Sequence, residues 1–141
     1  MKTSITIFQF NKKYFIYALL LLVVEILIGL YEKDQVIRPY GGDFLVVILL
    51  YCIVRCLTLL SVNTGCILVL LFSYGVEILQ YFHFADTLGL QPGSVPYILL
   101  GNYFSWADII CYTLGIGTVA FLERIIQSGG RQKNRYQNEF K

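Results

Sequence analysis

Charge is scarce in this sequence. Only 14% of its 141 residues are Asp, Glu, Lys or Arg, and histidine occurs once, as His83. So little charge excludes a disordered chain, which stays unfolded by combining high charge with few apolar groups. A net charge of +2 excludes a nucleic-acid binder, whose phosphate contacts need a concentrated basic surface. Metal-ligand spacing is also missing. The four cysteines (Cys52, Cys56, Cys66 and Cys111) all lie within apolar runs and read as small packing residues. Cys52 and Cys56, one turn apart on a single helix face, are poorly placed for a disulfide. No metal site and no cofactor are expected. What the chain has in excess is apolar: 57% of its residues are hydrophobic and the mean hydropathy is +0.65. A soluble domain this short would have to leave much of that surface exposed. Composition therefore excludes a soluble enzyme domain and leaves an integral membrane protein of one domain.

Four apolar runs suit a bilayer: 14–30, 44–60, 64–82 and 104–126. A membrane helix needs about 20 mostly apolar residues. The runs are continuous rather than alternating, which favours helices over a membrane barrel. The expected fold is all-α, a four-transmembrane-helix bundle over 1–127, with a basic polar tail over 128–141. The first run is read as a retained helix, because Leu30-Tyr31-Glu32 offers no small-residue cleavage site.

The basic residues set the expected orientation. Lys2, Lys12, Lys13, Arg55, Arg124, Arg131, Lys133, Arg135 and Lys141 fall on one side of a four-span arrangement, and Lys33 and Arg38 on the other. Lys and Arg near span ends stay cytoplasmic, so both termini are expected in the cytoplasm and the protein in the bacterial inner membrane. The tail then reads as a solvated topology anchor. Segments 31–43 and 83–103 become outer loops, and 61–63 a tight cytoplasmic turn. The longer loop carries Gly89, Pro92, Gly93, Pro96 and Gly101 but no Lys or Arg. Its glycines and prolines punctuate it into turns, and its length suggests that it covers something.

Charges inside hydrocarbon are costly and usually face the bundle interior. Glu25 precedes Leu30 by five residues, which puts it about 7–8 Å below the outer boundary. Glu77 lies equally deep before Phe82, and Asp108 lies four residues into the fourth run. Three carboxylates from three helices thus share a level, with Asp43 at the outer entrance of the second span and Gln80 one turn beyond Glu77. Three carboxylates held together in low dielectric cannot all be ionised. Arg38, in the first outer loop, is the expected counter-ion, since a guanidinium grips a carboxylate with two hydrogen bonds. Each acid also has a plain structural reading. Asp43 could serve as a helix N-cap, Asp108 could favour the helix dipole, and Glu25 and Glu77 could form an interhelical clamp. Arg55 is read as snorkelling to the cytoplasmic headgroups, and Tyr103 and Trp106 as interface aromatics. Gly29, Gly75, Cys111 and Gly115 are the expected close-packing positions between helices.

These residues carry a resemblance. The run from Ile37 to Leu49, reading IRPYGGDFLVVIL, resembles a block of a family of small bacterial membrane proteins catalogued as domain of unknown function number 2809. Val76-Glu77-Ile78-Leu79-Gln80-Tyr81 and Trp106-Ala107-Asp108, continuing to Gly115, resemble its later blocks. A looser likeness is to VanZ-like proteins, in which a Glu-x-x-Gln helix precedes an Asp helix ending in Gly. Glu77, Gln80, Asp108 and Gly115 stand in those places, while Tyr112 stands where that pattern usually has Asn. The closer family carries no assigned activity. The looser one implies a role at the cell envelope.

The leading functional expectation is a non-catalytic envelope protein whose acidic outer pocket takes a lipid-linked molecule or a cationic headgroup. The alternatives are a membrane-embedded enzyme acting on a lipid headgroup, with Glu77 and Asp108 sharing acid and base duties, and an oligomeric proton- or ion-coupled transporter. The absence of a Ser/His pair weighs against the enzyme. The expected partners are the bilayer and, for the transporter, further copies of the chain; nucleic acid is not expected.

Overall fold

The computed structural model describes residues 8–31, 37–101 and 103–139. Helix α1 spans Lys12–Tyr31. A π-helical turn, Ile37–Gly41, runs directly into α2, Gly42–Leu57. Helix α3 spans Val62–Tyr81, two short helices follow as α4 (Phe84–Thr87) and α5 (Val95–Leu100), and α6 spans Trp106–Glu139. The described residues contain no sheet, only an isolated antiparallel bridge between Phe8 and Thr58. Four helices are long and apolar enough to cross a membrane: Lys12–Tyr31, Pro39–Leu57, Val62–Tyr81 and Trp106–Gly129.

Local chemistry sets the helix ends. Asn11 opens α1, its side chain accepting from the Lys13 N–H. Ser61 caps α3 by accepting from Thr64 N–H at 3.2 Å, the ordinary use of a short hydroxyl side chain at that position. Asp43 is not a cap. The π-helical turn leads into α2 without a break, so Gly41 holds the N-cap position in helical conformation and Asp43 sits in the first turn. Helix α6 continues through Gly129 without a break, because the residues beyond (Arg131, Gln132, Lys133) are good helix formers that offset the cost of glycine. At 34 residues it is about 51 Å long, well beyond a hydrocarbon core of about 30 Å.

Helix α2 is the hub, packing against α1, α3 and α6, while α3 and α6 pack on each other. The buried cluster joins Val47, Tyr51 and Cys52 of α2 to Cys66 and Val69 of α3 and to Tyr112, Ile116 and Val119 of α6. On α6 these recur at three- and four-residue spacing, one stripe of the helix. The closest approach is at Gly115. A Cβ there would lie 2.5 Å from Val47 Cγ2 and 2.6 Å from the Phe44 carbonyl oxygen, so only glycine lets α6 sit this close to α2. At Gly29 and Gly75 a Cβ would meet nothing within 4 Å among the described residues. Those two are not close-packing positions, because their faces turn away from the neighbouring helices. Cys111 is half-buried.

Helix α1 stands at the periphery. Ala18 is its single buried residue, and it packs along α2. The arrangement is therefore a three-helix core of α2, α3 and α6 with α1 laid against α2, rather than four equivalent helices. Tyr14 reaches α6, donating from its hydroxyl to Glu123 at 2.5 Å. That bond and the pairing of Gln9 and Asn11 N–H groups with the carbonyls of Leu57 and Cys56 place the start of α1, the end of α2 and the Glu123 region of α6 at one end of the molecule.

Candidate functional site

The other end carries the acids. Glu77 on α3 has no exposed surface. Its Oε1 accepts from the Tyr112 hydroxyl at 3.0 Å and its Oε2 from the Ser105 N–H at 3.2 Å. Three segments build this arrangement: α3 supplies the carboxylate, α6 the phenol, and the residue before α6 a backbone donor. Asp108 lies in the first turn of α6, close to Glu77. The Asp43 carboxyl lies close to that of Asp108 and within electrostatic reach of Glu77 and Glu25. Asp43 and Asp108 are each half-buried.

Glu25 reaches this group from α1. Its Oε2 lies 3.6 Å from where a Cβ on Gly42 would stand, so the carboxylate lies against the start of α2. Its Oε1 is buried with no partner among the described residues. Burying a carboxylate oxygen unpaired is costly. The side chain of Arg38, the expected counter-ion, lies outside the described residues, as does Lys33. Among the described residues no group of His, Cys, Asp or Glu is arranged to hold a metal ion.

Segment 82–105 folds over this end. His83 takes a left-handed conformation (φ 50°) at the start of α4, and Gly89, Gly93 and Gly101 also have positive φ. Ser94 caps α5, and Pro96 fits its first turn. Gly101 brings the chain onto Gln80: a Cβ there would lie 2.8 Å from Gln80 Nε2. The half-buried Gln80 thus supports the turn that delivers Ser105 to Glu77. Outside this turn Tyr81, Phe104 and Trp106 stack edge to face. Tyr103 and Trp106 are 87% and 74% exposed, the position of interface aromatics. Tyr81 points outward with them rather than toward the acids.

Sequence reasoning missed a second polar group, at the opposite end. Glu123 of α6 accepts from the hydroxyls of Tyr14 and, at 3.1 Å, Tyr51. Arg55 stacks its guanidinium over the Tyr14 ring at 5.1 Å and lies within electrostatic reach of Glu123. Its Nη1 donates to the Leu60 carbonyl. Arg55 is therefore held inside the bundle end rather than snorkelling freely. The available signal was depth. Glu123 follows Asp108 by fifteen residues, about 22 Å along a helix, close to the about 18 Å that separates Asp43 from Arg55.

Fold and site together define an all-helical protein with the build of a multi-pass membrane protein: a polar group near each end and an apolar core between them. The chain belongs to the family described as Protein of unknown function (DUF2809), whose model matches residues 32–116. The match takes in Asp43, Glu77, Gln80, Asp108 and Gly115, and leaves out Glu25 and Glu123. No curated protein and no solved structure matches the chain.

Proposed function

We propose that this protein resides in the bacterial inner membrane with both termini in the cytoplasm and acts at the cell envelope without catalysing a reaction. On this reading the acidic end faces outward and holds a cationic headgroup or a lipid-linked molecule, as the looser VanZ-like resemblance suggests. The observation that carries the reading is Glu77. It is fully buried and bonded at both oxygens, so it is a fixed acidic group beside Asp43 and Asp108. Half-buried carboxyls beside a fixed acid attract an ammonium group, and the hydrocarbon around them strengthens the attraction.

The test is melting of the purified protein in micelles doped with phosphatidylethanolamine or with phosphatidylglycerol. The amine headgroup should raise the wild-type melting temperature, and Asp43→Asn combined with Asp108→Asn should abolish that rise. A rise that survives both changes defeats the proposal. A second reading, an oligomeric proton- or ion-coupled transporter, draws on the closeness of the Asp43 and Asp108 carboxyls, the kind of group proton relays use. Proton flux into proteoliposomes that disappears with Asp108→Asn would favour it.

A further inference from the structure

At the end away from the acids, α1 and α6 both pack on α2 and leave between them a groove of about 370 Å³, within the range of small-ligand sites. Tyr17, Leu21 and Val24 of α1, Ile48 of α2, and Leu122 and Ile126 of α6 line it. Tyr17, Val24, Leu122 and Ile126 are each more than 40% exposed, so the groove opens sideways, toward lipid. Tyr14, Tyr51 and Glu123 also line it.

We propose that this groove holds one acyl chain of an anionic phospholipid, with the headgroup at the Lys13 end. Size selects the occupant. A groove of about 370 Å³ takes a length of one hydrocarbon chain, whereas a transmembrane helix, about 10–12 Å across with its side chains, would lie over it rather than fill it. Charge selects the headgroup. The Lys13 ammonium stands 5.8 Å from the centre of the Tyr17 ring, and the Arg55 guanidinium 5.1 Å from that of Tyr14. Two cations therefore flank lining tyrosines where Glu123 supplies one carboxylate. Lys13 is exposed and free to meet a phosphate at the membrane surface. The acidic cluster at the other end takes no part, so this site and the proposed cationic site stand or fall separately.

Native mass spectrometry of the full chain released from vesicles of equal phosphatidylglycerol and phosphatidylcholine reads the retained lipid. Wild type should keep one phosphatidylglycerol in preference to phosphatidylcholine by about fivefold, the factor expected for one cation at an anionic surface. Leu21→Trp, which fills the groove, should lose the lipid, while Ile67→Trp, at a 57% exposed position on α3, should keep it. Lys13→Gln should retain lipid without the preference. Equal retention of both lipids by wild type overturns the proposal. So does Leu21→Trp holding as much lipid as Ile67→Trp, or a second protein copy bound in place of lipid. If Leu21→Trp does not fold, Leu122→Trp obstructs the same groove from α6 and carries the same expectation.

Discussion

Single residues decide how closely these helices approach. Replacing Gly115 by Ala pushes a methyl group onto the Phe44 carbonyl oxygen, which no rotamer change relieves. The expected loss is about 1–3 kcal/mol, the usual cost of overpacking, read as a lower melting temperature in detergent. Gly75→Ala is the control. Nothing stands within 4 Å of its Cβ among the described residues, so it should be neutral or gain up to about 1 kcal/mol from helix propensity. Tyr112→Phe removes the hydroxyl from Glu77 Oε1 and leaves a fully buried acceptor with one bond fewer. Its expected cost is about 1–3 kcal/mol, checked by the same melt. A Tyr112→Phe protein as stable as wild type would mean that Glu77 does not depend on this bond. The acids' common level was legible from residue spacing alone. Their bonding partners were not, because Ser105 reaches Glu77 through a turn whose path no periodicity encodes.

Among the elements, segment 82–105 is the most dependent on backbone conformation. Gly101 has φ 63° and ψ 173°, a region open essentially to glycine alone. Gly101→Ala should therefore cost about 1–3 kcal/mol. The contact with Gln80 adds little, since the end of a flexible side chain can move aside. The structural consequence is larger, because the turn carries Ser105. Hydrogen exchange at the Ser105 amide should speed up in Gly101→Ala while exchange in α2 stays unchanged; equal protection in both proteins would refute the coupling. The glycines and prolines of this segment already marked it as a series of turns. That it closes over Glu77 depended on α3 and α6 lying side by side, a pairing fixed by packing.

For the whole molecule, the two polar groups at opposite ends add ties between helices to those of the apolar core. Helix α1 buries only Ala18, so the Tyr14–Glu123–Arg55 group is its main link to α6. Removing one member of a half-buried charged group leaves the other uncompensated. Arg55→Met and Glu123→Leu should each destabilise, and the double variant should lose less than the sum of the two. A double-mutant cycle in detergent measures this coupling, and strict additivity would show that the two charges do not interact. Orientation is a property of the whole chain as well. Reporter domains fused at either terminus should be active only in the cytoplasm if the proposed topology holds, and an externally active fusion would reverse which leaflet meets the acids.

The sequence by itself determined that the chain is built from four long apolar helices, and that Glu25, Asp43, Glu77 and Asp108 stand near one end of them. Continuous hydrophobic runs and a constant rise per residue carry that information without any tertiary contact. Only the tertiary structure decided that α2 is the hub and α1 peripheral, that Gly115 rather than Gly29 or Gly75 is the point of contact, and that Arg55 and Glu123 form a second polar group. The reason is physical. Hydropathy fixes where a helix sits along the membrane normal, but which of its faces meets a neighbour depends on how side chains interlock across helices, and in an almost uniformly apolar sequence many faces look alike.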